Sequence, residues 1–91
     1  MHQWDDPSLM PIYHVQLETR DLIVSYMVAT SDYNAVDVAI ADLRTRLVDP
    51  NTHVWKGSLS EVGYREIGEP TVIEWEIARG CQSDGILKTT A

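Results

Sequence analysis

Two runs of alternating residues lie back to back near the start of the chain, and they constrain the fold more than any other feature. Over residues 12–18, Tyr13, Val15 and Leu17 point one way and His14, Gln16 and Glu18 the other. That is the period of a strand with one buried face. Thr19-Arg20-Asp21 reads as a turn, although it lacks the Asn-Gly or glycine signal of a tight hairpin. Over residues 22–29, Leu22, Val24, Tyr26 and Val28 form one face, and Ile23, Ser25, Met27 and Ala29 the other. Both faces are largely apolar, which places this strand toward the middle of a sheet.

The period then changes from two to 3.6. Val36, Ile40, Leu43 and Leu47 fall on one stripe of a helix over residues 33–48. Thr30, Ser31 and Asp32 supply candidate caps for its first turn. Asn34, Val38, Asp42 and Thr45 read as its outer face, with Asp42 and Arg46 an i,i+4 pair worth about 0.3 kcal/mol. Pro50 marks its end. Residues 53–56 suggest a short strand closed by a turn at Gly57-Ser58, and residues 61–67 a longer one with Val62 and Tyr64 on one face. After a turn at Gly68-Glu69-Pro70, Thr71, Ile73, Trp75 and Ile77 alternate with Val72, Glu74, Glu76 and Ala78. The fold class is therefore α+β. We expect a single antiparallel sheet of four or five strands in the order ββαββ, with one long helix packed on one face.

At 91 residues the chain makes one domain, spanning residues 1–80. Residues 1–11, with Pro7 and Pro11, read as an irregular lead-in, and residues 81–91 as a flexible tail. Fourteen acids against seven bases leave a net charge of −7. Such a balance repels phosphate backbones, so the expected partner is a protein with a basic surface and not nucleic acid. The single cysteine, Cys81, permits no internal disulfide. No apolar run is long enough for a membrane span. The first residues have no signal-peptide character, so a cytoplasmic protein that does not bind membranes is expected.

The search for chemistry returns surfaces in place of constellations. His2, His14, His53 and Cys81 do not fall at zinc-site spacing, so no metal or cofactor is expected. Gly80, Gln82 and Ser83 give Cys81 neither a base nor an electropositive setting. Glu74 and Glu76 share a strand face, but a small sheet with one helix offers little room for the cleft that paired acid–base catalysis needs. A non-enzymatic role is expected. The candidate partner-binding residues are Glu61, Glu66, Glu69, Glu74 and Glu76, read as one acidic C-terminal hairpin two strands wide. His14 joins them from the polar face of the first strand, and Met27 as a flexible apolar spot amid His14, Gln16 and Glu74. Trp75 reads as core and Trp55 as core or contact.

A short hairpin, then the capped helix Ser31-Asp32-Tyr33-Asn34-Ala35-Val36-Asp37-Val38-Ala39-Ile40-Ala41-Asp42-Leu43, then a closing hairpin is similar to many small phage-encoded accessory proteins. Small acidic anti-CRISPR proteins are among these, and the resemblance covers residues 13–78. It implies a stand-alone inhibitor, monomer or homodimer, that occludes a surface on a host protein in the bacterial cytoplasm. The rival readings are a homo-oligomeric structural or regulatory protein pairing edge strands, an acidic DNA mimic, an antitoxin-like partner and a small enzyme subunit.

Overall fold

The first two strands form as their alternation predicts. The structure, a computed structural model, describes residues 8–31, 34–80 and 86–88. Strand β1 spans Leu9–Glu18 and β2 spans Ile23–Ala29. They pair antiparallel, with Tyr13, Val15 and Leu17 opposite Val28, Tyr26 and Val24. Those six side chains and Leu22 are buried. The turn between them needs no glycine because Thr19 supplies the missing bonds. Its amide donates to the Leu22 carbonyl at 2.8 Å, and its hydroxyl accepts from the Leu22 amide at 3.0 Å.

Helix α1 spans Ala35–Arg46 and lies over β1, β2 and β4. It starts and stops inside the bounds read from the sequence. Its N-cap is Asn34, which makes no side-chain cap bond, and Asp32 and Tyr33 lie outside the described residues. Leu47 leaves helical geometry and pairs with Leu87. The buried stripe is Ala35, Ala39, Leu43 and Leu47, with Val36 and Ile40 only half-buried beside it. The small side chains of Ala35 and Ala39 bring the helix close to the sheet and turn the stripe toward Val38 and Asp42. Both of these are half-buried, not outward-facing.

Strand β3 spans Trp55–Glu66 and β4 spans Thr71–Arg79, completing a four-stranded sheet in the order β3-β1-β2-β4. Three expectations are corrected here. Residues 55–66 form one strand, not two segments with a turn at Gly57-Ser58. The two irregularities in its register leave Gly57 and Val62 without partners in β1, so its alternation is broken and reads in the sequence as a turn. Second, β3 and β4 do not pair as a hairpin but flank the sheet on opposite edges. Three strand spacings come to about 14 Å, and the five steps from Glu66 to Thr71 can reach about 17 Å, so the short connection passes across the ends of β1 and β2. Third, β1 begins at Leu9 and includes Pro11, inside the stretch expected to be irregular. Pro11 lies just past the β1–β2 ladder, where its carbonyl accepts the Thr30 amide at 3.2 Å and its missing N–H removes no bond within the ladder.

The described part of the C-terminal segment is not a free tail either. Leu87 is 2% exposed and belongs to the core. The Val48 amide donates to the Ile86 carbonyl, and the Lys88 amide to the Arg46 carbonyl. Leu47 and Leu87 thereby close the open end of the helix–sheet core. Residues 81–85 and 89–91 of the expected tail lie outside the described residues. No helix is long and apolar enough to cross a membrane among the described residues.

Candidate functional site

The helix covers one face of the sheet, and the opposite face carries the polar half of each alternating pattern. The pairing registers set these side chains in rows. Ser60, His14, Met27 and Glu74 stand side by side across all four strands, and Ser58, Gln16, Ser25 and Glu76 form the next row. The Ser58 hydroxyl donates to Gln16 Oε1 at 3.3 Å within the second row. Met27 therefore sits between His14 and Glu74, half-buried in a polar frame, as its place in the alternation suggests. Ile12 and Ile23 add half-buried apolar surface at the two ends of β1 and β2.

The five glutamates do not form one patch. Glu74 and Glu76 project from β4 on this open face. Glu61 lies opposite Tyr13 on the other face of β3, Glu66 opposite Leu9 at the end of β3, and Glu69 in the connection. The β3 glutamates are about 14 Å from the β4 pair across the two central strands. With a screening length of about 8 Å at physiological salt, the two groups act separately. In the sequence they read as one patch because Gly68-Glu69-Pro70 suits a turn that would pair the two strands.

On the covered face a polar cluster ties the helix to the sheet. The Tyr26 hydroxyl donates to Asp42 Oδ2 at 2.7 Å, and Arg46 Nε donates to the same oxygen at 2.7 Å. The Arg46 guanidinium lies 4.3 Å from the centre of the Trp75 ring, which stacks on Tyr26 with centroids 6.4 Å apart. Burial and the Asp42 carboxylate push the Tyr26 phenol well above the usual tyrosine range, and the hydrogen bond to Asp42 raises the Arg46 guanidinium. Asp42 and Arg46, legible in the sequence only as a helix pair, thus join α1 to β2 and β4. Trp75 packs against the core as expected and Ile77 packs beside it, but Ile73, of the same alternating set, does not. An irregularity between Met27 and Val28 leaves Ile73 as an extra residue, 42% exposed, and turns Val72 inward in its place.

Two further surface features were not read as sites from the sequence, although Trp55 stood there as core or contact. Strand β3 exposes Trp55, Leu59 and Val62, and the broken alternation hid which face each would take. A cleft of about 470 Å³ opens beside the β1–β2 turn, lined by Glu18, Arg20, Asp21, Trp55, Arg79 and Gly80 among others. Its two acids and two bases offset one another, so it presents no net charge to a ligand. Gly80 lines it with bare backbone: at φ 112° it adopts a left-handed conformation, and a Cβ there would lie 2.7 Å from the Asp21 carbonyl. Among the described residues no group of three or more His, Cys, Asp or Glu gathers as metal ligands. Compared with protein-family models, with curated proteins and with solved structures, the chain finds no match.

Proposed function

We propose that this chain is a non-catalytic protein-binding module, and that its binding surface is the open face of the sheet around His14, Met27, Glu74 and Glu76. The observation that carries the reading is the row Ser60-His14-Met27-Glu74, an apolar, flexible side chain framed by polar and acidic ones on a face with no helix over it among the described residues. A mixed surface of this kind resembles the centre and rim of many interfaces. Met27 adapts its shape to a partner. The acidic pair on β4 and the net charge of −7 favour a basic partner surface. In this reading the chain acts by occluding a basic surface on a host protein in the bacterial cytoplasm, as an inhibitor of the anti-defence type.

The test is affinity capture from a bacterial lysate, followed by binding measurements on the captured protein. Met27→Ser should keep the melting temperature, since Met27 lies outside the core, and should weaken binding about tenfold, the equivalent of about 1.4 kcal/mol. Equal affinity for parent and variant would place the interface elsewhere.

A further inference from the structure

The twelve residues of β3 form an edge of the sheet, and most of them are exposed. In an antiparallel ladder the N–H and C=O of one residue point to the same side, and successive residues alternate. The Thr30 amide binds the Pro11 carbonyl, so Pro11, Tyr13 and Val15 direct their backbone groups toward β2, and Ile12, His14 and Gln16 toward β3. The Ile67 amide on the Ser8 carbonyl fits the same alternation. Ser60, opposite His14, therefore spends its backbone groups on β1, whereas Leu59 and Glu61 on either side direct theirs away from the sheet. The irregularities at Gly57 and Val62 extend this pattern in both directions. The outward positions become Lys56, Leu59, Glu61 and Tyr64, an arrangement symmetric about Ser60.

We propose that a second copy of this chain pairs antiparallel along β3, with the two-fold axis at Ser60. In that register Leu59 of one copy lies opposite Glu61 of the other, and each such pair exchanges both of its backbone hydrogen bonds. The two Leu59 side chains, each 44% exposed in a single chain, meet on the diagonal across the axis. Trp55 and Arg65 share a face of β3, opposite Glu18 and Met10, and fall opposite each other between the copies in cation–π range. The regular stretch Ser58–Glu61 lies at the centre of the contact, between the two irregularities. The product is a continuous eight-stranded sheet. Each chain carries −7, so pairing strengthens as salt rises, whereas binding of a basic partner by the open face weakens.

Sedimentation equilibrium over a range of protein and salt concentrations reads the mass, and cysteine cross-linking reads the register. The parent should reach twice the 10.3 kDa of one chain at micromolar concentrations, more readily at high salt. In a Cys81→Ser background, Ser60→Cys should oxidise to a covalent dimer faster than Ser58→Cys, which is also exposed on the same face. Leu59→Glu gathers four carboxylates at the axis and should weaken association at least tenfold. Its circular dichroism and melting temperature, measured at monomer concentrations, check that the exposed site leaves the fold unchanged. A parent that stays monomeric to about 1 mM, a Ser58→Cys dimer forming as fast as the Ser60→Cys one, or a Leu59→Glu variant that still dimerises would each overturn the proposal.

Discussion

Strands β2 and β3 divide the molecule into a part that holds the fold and a part that faces outward. In β2, Val24, Tyr26 and Val28 are fully buried, neighbouring strands lie on both sides, and the helix covers one face. In β3, ten of twelve residues are exposed and one edge has no neighbouring strand among the described residues. Both are strands of the same sheet, so backbone propensity does not separate them. The difference is the supply of apolar partners. A single twelve-residue helix covers only part of a sheet face, and it sits over β1, β2 and β4. Strand β3 is held mainly by its ladder to β1, which frees its side chains from packing.

Substitutions in the two regions should differ accordingly. Leu43→Ala, at a fully buried position on the inner stripe of the helix, should cost about 2–4 kcal/mol in denaturant unfolding. Truncation after Gly80 removes the buried Leu87 and should cost about 1.5–3 kcal/mol, the worth of burying one leucine. An unchanged midpoint would mean that Leu47 and the helix end need no cover. Tyr26→Phe removes the bond to Asp42 and should cost about 1 kcal/mol.

Tyr26 also gives a pH signature. Its folded pKa is raised above the unfolded value of about 10, so its contribution is complete below pH 10. As pH rises beyond 10 the unfolded chain ionises first, and stability falls. Tyr26→Phe should flatten that alkaline decline, and an equally steep decline in the variant would place its origin elsewhere. At the small end, Leu59→Ala on β3 should change the stability of a single chain by less than about 0.5 kcal/mol. A loss comparable to that of Leu43→Ala would erase the contrast between the two strands.

The regular half of the fold was legible because its periods are clean. Tyr13, Val15, Leu17 and the inner set of β2 point where alternation puts them, and the helix appears where the period becomes 3.6. The irregular half was not. An extra residue at Gly57, Val62 or Ile73 reverses the alternation beyond it, and no local residue type announces that shift. The separation of β3 from β4 was equally hidden, because Gly68 and Pro70 suit a tight turn and an extended crossing alike. At the candidate site, the neighbours His14, Met27 and Glu74 followed from alternation within well-patterned strands, whereas the single acidic patch depended on a hairpin that does not form. Ile86 and Leu87 are the one apolar spot in a polar segment, too short to show a period that would mark Leu87 as buried.

The central claim is that the open face binds a basic partner while the covered face holds the fold, and Glu74→Lys with Glu76→Lys tests it most directly. Both carboxylates are exposed on β4, on the face away from the helix, so the double variant should unfold within about 0.5 kcal/mol of the parent. Its association rate with the captured partner should fall at least tenfold at low salt, and the salt dependence of that rate should flatten. Reversing Glu66 instead, on the opposite edge strand of the sheet, should leave the rate nearly unchanged. An association rate and salt dependence equal to the parent's in the Glu74 and Glu76 variant would contradict the account.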